Sequence, residues 1–343
     1  MPYRSPRYQE TNSLLQRESD KVEAYFAEVG YKVMESPWKT WMETNKRRNN
    51  ITQSWMKMFE ILNMEESVEF LDSLDEINAF HNCELPGSFL LASYYVCTSM
   101  GKKYNWVLSS HAPAENYGKD FLIDKFRLAE RFPQNMLMGL YTTRNRKVYI
   151  DGDVTHLIVC STICKKAKTI LPIINLYTSD AGMAADGEGY LMELKTLTIK
   201  YGEIWCCLAT LSPGGMAVIK LYTIDTNLLY SLVCVLANQF ESFTLQQPQA
   251  SQPANNELYF IGWNFKPQPD ISAKVQSYWN SDPQLDLTDH IPVPESIIYD
   301  VDRLYCDVME RKMKAKSLYL NNEVPPGDYN IDNLNPEYQL LPL

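Results

Sequence analysis

Lys220 stands late in a short apolar run, Met216-Ala217-Val218-Ile219-Lys220-Leu221-Tyr222, that follows the glycine pair Gly214-Gly215. Such a run after a glycine turn predicts a fully buried strand. An ammonium inside that strand is costly without a partner, so the lysine is exposed, paired, or shifted in pKa for a task. Carboxylates at the ends of other strands are its natural partners. Glu84 opens the turn Glu84-Leu85-Pro86-Gly87-Ser88, Asp153 follows a short strand, Asp180 ends another, and Glu257 begins the last one. Gly87 permits close backbone approach, and the helix amino terminus behind it favours a carboxylate or similar anion. Each residue also has a plain structural reading. The turn connects a strand to a helix, Asp153 caps a helix, Asp180-Ala181-Gly182 is a turn, and Glu257 is solvated. Their joint placement around an interior lysine marks this edge as a candidate site.

Alternating elements must bring these residues together. Residues 1–30 carry a polar helical pattern around Leu14, Leu15, Val22, Tyr25 and Phe26. A helix is predicted over 50–63, with Ile51, Trp55, Met58, Phe59 and Leu62 on one stripe about 100° wide. Lys57 lies off that stripe and reads as solvent-facing. Strands are predicted at 79–85, 104–110, 147–150, 170–177, 216–222, 243–247 and 257–265. Helices are predicted at 88–97, from 154, at 189–211, and after Asp225 or Thr226, both good N-caps. This alternation predicts an α/β fold whose seven-stranded sheet is mostly parallel and covered on both faces. The last two strands leave no room for a crossover helix, so the final strand is antiparallel. Its start then lies on the edge where ligands bind in open α/β sheets, beyond the carboxyl ends of the parallel strands.

Three segments depart from the alternation. Residues 1–48 form a helical N-terminal extension, 111–145 an inserted lobe or lid, and 266–343 a proline-rich and helical C-terminal extension. The C-terminal helix is predicted over 297–313 and ends in the basic run Arg311–Lys316, which reads as a solvated face.

Composition narrows the function classes. The formal net charge of −10 over 343 residues means that any polyanion-binding surface is a local patch rather than a whole-protein field. The eight cysteines show no C-x-x-C spacing and sit mostly in apolar runs, so free thiols of a reducing compartment are expected, with neither a disulfide framework nor a zinc site. The first residues lack a signal-peptide core, and the apolar run near 228–237 is too short to span a bilayer. His81, in an apolar strand, reads as a satisfied core histidine. The four histidines show no metal-ligand spacing, and neither a P-loop nor a G-x-S-x-G elbow occurs.

In their order along the chain, Lys57, the CELPGSF turn, GDVT, TSDAG, GGMAVIK and NNELY resemble the FtsJ-type ribose 2′-O-methyltransferases. The phrases SWMKMFEILN, NCELPGSF and YNWVLSS are similar to the divergent members of that family in large cytoplasmic DNA viruses of the African swine fever virus type. The resemblance covers about residues 50–265. It implies a Rossmann-like class I methyltransferase fold with S-adenosylmethionine as methyl donor. The implied acceptor is an RNA ribose hydroxyl at a capped mRNA 5′ end. It implies no membrane partner, contact with capping or transcription machinery, and a cytoplasmic, virus-factory or virion setting.

Carried over residue by residue, the family's catalytic Lys-Asp-Lys-Glu set falls on Lys57, Asp180, Lys220 and Glu257. Its donor-binding residues fall on Glu84, Pro86, Gly87, Ser88, Phe89, Asp153 and Asp180. Gly87-Ser88 departs from the family's paired glycines, Ser251-Gln252-Pro253 lacks its arginine, and Gln247 replaces a common lysine. These departures and the acidic charge support an alternative, a catalytically weak or inactive subunit that binds RNA or protein. In the implied reaction the protein aligns an in-line attack and removes a proton, with no metal. Lys220 is the implied base. That role needs a lowered pKa, which burial and a neighbouring ammonium at Lys57 favour.

Overall fold

Strands with apolar side chains on both faces need a cover on both faces, and helices supply it here. The computed structural model describes residues 4–29, 51–112, 124–143, 146–182, 192–251 and 256–321. Helix α1 (Pro6–Val29) precedes α2 (Gln53–Leu62) and α3 (Glu65–Asp72). Then come β1 (Glu76–Asn82), α4 (Ser88–Ser99) and β2 (Lys103–Leu108). An excursion carries the short α5 (Leu128–Arg131), β3 (Gly139–Thr143) and β4 (Arg146–Ile150). The alternation resumes with α6 (Leu157–Ile170), β5 (Leu176–Ser179), α7 (Met192–Thr210), β6 (Met216–Leu221) and α8 (Asn227–Ala237). It closes with β7 (Phe240–Gln246), β8 (Leu258–Phe265), α9 (Ile271–Gln276) and the long α10 (Glu295–Leu320).

The main sheet has the order β2-β1-β5-β6-β8-β7. Strands β2, β1, β5 and β6 run parallel, and β8 inserts antiparallel between β6 and β7, as the short final connection requires. Among the described residues the main sheet has six strands, not the expected seven. The expected strand at 147–150 is β4, which pairs only with β3 in an antiparallel hairpin outside the sheet. Beside β2 the place of a further strand is taken by a single bridge from Leu108 to Met136.

Period-two alternation divides the core between the two faces. Phe80, Tyr177, Ile219 and Phe260 pack with α6, α7 and α8 in one cluster. Ala79, Leu176, Met216, Val218, Tyr259 and Ile261 pack with α2 and α4 in the other. Lys220 shares the parity of Met216 and Val218, so it belongs to the face that α2 covers. All eight cysteines are free. Among the described residues no helix is long and apolar enough to cross a membrane.

The two terminal helices pack on each other and on the end of β6. Tyr8 Oη donates to the Ile224 carbonyl at 2.5 Å, and its ring stacks on Tyr305 at 4.9 Å. Arg7 bonds both Asp307 and Glu310 at 2.8 Å. The basic run of α10 is not a solvated face throughout, because Lys312 and Lys316 are 0% and 1% exposed. The extension 30–48 and the tail after 321 lie outside the described residues.

Candidate active site

Strand register alone brings three of the expected residues to one edge. Ile219 pairs with Ser179 and Leu221 with Leu258. Asp180, next after Ser179, and Glu257, next before Leu258, therefore flank Lys220. Lys220 Nζ lies 3.1 Å from Asp180 Oδ1 and 3.7 Å from Glu257 Oε2. Glu257 Oε1 in turn forms an ion pair with Lys57 Nζ. One continuous chain of alternating charge thus runs Lys57, Glu257, Lys220, Asp180.

The position of Lys57 corrects the reading from helical periodicity. It is 4% exposed, not solvent-facing. Helix α2 is sunk into the fold on more than one side, with Met56, Met58, Ile61 and Leu62 all at 0%. Thr52 caps α2 by accepting from the Trp55 amide at 3.1 Å. The Thr52 hydroxyl also donates to Ser88 Oγ at 2.8 Å. Ser88, the departure from paired glycines, thereby ties the β1–α4 turn to the helix that carries Lys57.

Burial and charge act against each other in this cluster. Burial alone raises the pKa of Glu257, but Lys57 and Lys220 outweigh it and hold the carboxyl down at about 2. Burial alone lowers the pKa of Lys220, but Asp180 and Glu257 outweigh it and hold the ammonium above its ordinary value. The expectation that burial and Lys57 lower the pKa of Lys220 is therefore not met: two carboxylates face it, and it carries a proton. The side chains of Lys220 and Asp180 keep 11% and 12% exposure against 5% and 4% for Lys57 and Glu257. Lys220 and Asp180 are thus the less deeply buried end of the chain.

Two tyrosines that sequence reasoning missed complete the cluster. Tyr259 Oη donates to Asp180 Oδ1 at 3.2 Å, and the Tyr222 ring lies 5.7 Å from Lys220 Nζ. The alternation signal was available for Tyr259, which lies two residues after Glu257 and pairs with Lys220 across β6 and β8. Phe89 packs on the same tyrosine with ring centroids 5.9 Å apart.

The turn after β1 is built around its own acid. Glu84 Oε1 accepts from the Phe89 amide at 2.5 Å, closing the turn onto α4. Burial and the nearby Asp180 push the Glu84 carboxyl well up. Pro86 follows Leu85 through a cis peptide bond, and Gly87 has φ +104°. A β-carbon on Gly87 would lie 2.4 Å from Leu128 Cδ1, so α5 of the inserted lobe seats against this turn.

Asp153 does not join the ion-pair chain. Its Oδ1 accepts from the Thr155 amide at 2.9 Å and hydroxyl at 2.7 Å, which closes a turn ahead of α6. Helix α6 starts at Leu157 with His156 at its N-cap and no side-chain cap bond, so Asp153 is not the expected helix cap. Burial raises its pKa, yet the bonds from Thr155 hold it below the ordinary value. The segment rests on the end of β2, where a β-carbon on Gly152 would lie 2.0 Å from the Ser110 carbonyl oxygen. His81 is a satisfied core histidine, with Thr178 and Tyr104 hydroxyls at 2.6 Å, and burial pushes it down to about 3.

A family model described as FtsJ-like methyltransferase matches residues 51–265. The probable methyltransferase EP424R of African swine fever virus (strain Badajoz 1971 Vero-adapted) is 32% identical over 262 residues, covering 74% of this chain and 60% of the viral protein. The uncharacterized protein L511 of Acanthamoeba polyphaga mimivirus is 29% identical over 70% of this chain and 29% of its own length. The cap-specific mRNA (nucleoside-2′-O-)-methyltransferase 2 of Danio rerio is 25% identical over 66% of this chain and 30% of its own length. The chain spans less than two thirds of the length of each of these relatives.

Proposed function

The chain belongs to the FtsJ-like methyltransferase family, and from that premise we propose that it methylates the ribose 2′-hydroxyl of RNA at a capped 5′ end, with S-adenosylmethionine as donor. The observation that carries this reading is the buried chain Lys57–Glu257–Lys220–Asp180, whose Lys220–Asp180 end is the less deeply buried.

The residues at the sheet edge fit such a donor. Glu84 Oε2, Ser109 Oγ and Ser179 Oγ are buried at the ends of β1, β2 and β5 with no hydrogen-bond partner among the described residues. Buried polar atoms of this kind are ordinarily satisfied, so unpaired ones here point to a polar ligand. The turn Glu84-Pro86-Gly87-Ser88-Phe89, with Asp153 and Asp180, would hold it. When bound, the donor supplies an already activated methyl group.

The side chains then have distinct tasks. Asp180 and Glu257 fix the Lys220 ammonium from two sides. Lys57 holds Glu257 and keeps the cluster near neutral. Lys220 accepts the hydroxyl proton as attack proceeds. It must first lose its own proton, and a positive charge placed beside it lowers its pKa in that direction. Methyl transfer itself demands alignment of the hydroxyl, which a site fixed by four ion-paired side chains supplies.

The terminal helices are proposed to extend the RNA platform, since both dock on the Lys220 edge. Asn256, beside Glu257, donates to Ser19 of α1 at 3.5 Å, and Lys312 of α10 donates to the Glu257 carbonyl.

Incubation with methyl-labelled S-adenosylmethionine and RNA, followed by digestion to nucleosides, tests the reading. Label on a 2′-O-methyl nucleoside from capped RNA supports it. Absence of donor binding by calorimetry, with RNA binding retained, supports the non-catalytic subunit instead.

A further inference from the structure

Two charged side chains of α7 are as deeply buried as any in the fold. The side chains of Lys200 and Glu203 are 1% and 0% exposed, and they form an ion pair at 2.7 Å. Their helix also carries Leu197, Tyr201, Ile204 and Trp205 of the apolar core, and Glu203 bonds the Cys83 thiol. A buried pair of this kind is seldom the most stabilising choice, because apolar residues of similar volume serve as well or better. What an apolar pair cannot do is bond a peptide group.

The Lys200–Glu203 pair bonds one residue on both sides. Glu203 Oε1 accepts from the Ala181 amide at 3.0 Å, and Lys200 Nζ donates to the Ala181 carbonyl at 2.9 Å. Ala181 directly follows Asp180. The donor and the acceptor of that residue are thus both fixed by a rigid helix, just beyond the carboxylate that meets Lys220 at 3.1 Å and Tyr259 at 3.2 Å. The backbone of the same helix turn is tied to β5, since the Glu203 carbonyl accepts from Tyr177 Oη at 2.7 Å. Lys200 and Lys220 also lie 5.8 Å and 5.7 Å from the one Tyr222 ring. The loop has little room to move inward. A β-carbon on Gly182 would lie 3.3 Å from Lys220 Nζ and 3.2 Å from Tyr222 Oη.

We propose that Lys200 and Glu203 are positioning residues, a clamp on Ala181 that holds Asp180 against Lys220. This rests on the catalytic reading of Lys220 and Asp180 given above. Neither clamp residue touches the reacting atoms. Without the clamp, Asp180 swings away from Lys220 and the ammonium loses one of its two carboxylates.

The test uses the full chain with two double variants. Lys200→Met with Glu203→Leu removes the whole clamp. Lys200→Met with Glu203→Gln removes the charges but keeps an acceptor for the Ala181 amide, and it stands in if the first variant does not fold. The first readout is the Nζ resonance of Lys220 in lysine-labelled protein, assigned by its loss in Lys220→Arg. It is expected to titrate at least about one pH unit lower without the clamp, because a carboxylate partner has gone. The second is methyl transfer. The first variant is expected to lose about 100-fold in kcat, the scale of a small misplacement, with the fold retained. The second variant is expected to lose less. An unchanged Lys220 titration, or kcat within threefold of wild type in both variants, overturns the clamp. Wild-type protein that transfers no methyl while the Lys220 resonance shifts overturns the functional reading and leaves the clamp standing.

Discussion

Lys57 on α2 and Glu257 ahead of β8 form an ion pair whose side chains are only 5% and 4% exposed. The pair joins a helix on one face of the sheet to the strand beside Lys220. Removing one partner strands the other in the interior. Lys57→Met is expected to cost about 3–5 kcal/mol of stability, the usual penalty for breaking a buried pair. Urea unfolding at neutral pH measures it, and a loss under about 1 kcal/mol, the value of an exposed pair, contradicts the burial of the pair.

Glu257 sets an acid limit on stability. Its carboxyl lies near 2 in the folded chain against an ordinary 4.5. A depressed carboxylate contributes stability above its unfolded pKa and loses it as pH falls toward the folded value. The loss therefore runs from about pH 4.5 to pH 2 and amounts to about 3 kcal/mol. Glu257→Gln lacks this component, so its unfolding midpoint is expected to fall less steeply across that window than that of the wild type.

Lys220 is held protonated in the resting state, so in the proposed reaction its conversion to a base would be visible as a released proton. Binding of S-adenosylmethionine is expected to release more protons than binding of S-adenosylhomocysteine, whose sulfur carries no charge. Calorimetry in buffers of different ionisation enthalpy reads the difference. Equal proton counts for the two ligands contradict Lys220 as the base.

The segment at Gly152 admits no side chain. Its φ is +74°, and a β-carbon would lie 2.0 Å from the Ser110 carbonyl oxygen. Gly152→Ala is expected to displace Asp153 and weaken donor binding at least about tenfold, with a stability loss of about 1–3 kcal/mol. Donor titration and thermal unfolding check the two effects separately.

Ser88 replaces a glycine of the family pattern and accepts from Thr52 at 2.8 Å. Ser88→Gly is expected to cost about 1 kcal/mol, one hydrogen bond, and to weaken donor binding by less than about tenfold. A tenfold loss of donor affinity in this variant contradicts the role assigned to Ser88.

The sheet edge was legible in the sequence because strand periodicity and short connections carry it. Lys220, Asp180 and Glu257 follow from the ends of β6, β5 and β8, and the antiparallel β8 follows from a link too short for a crossover. Lys57 was not legible from pattern, because a 3.6-residue stripe finds one buried face and α2 is buried on more than one. Its role came from resemblance alone. Helix α3 was missed because its eight residues bury only Ser67 and Leu71. Lys312 and Lys200 were unreadable for a related reason. Their burial depends on what the tertiary fold lays over them, and a basic or mixed helical stretch reads as solvated. The sign of the Lys220 shift needed distances, since burial and two carboxylates pull it in opposite directions.

The most direct test is methyl transfer by wild type against Lys220→Ala, read as 2′-O-methyl nucleoside released from capped RNA. The account predicts product with wild type and at least about a 100-fold lower rate for Lys220→Ala, measured on folded protein that still binds the donor. An equal rate in the two proteins contradicts it.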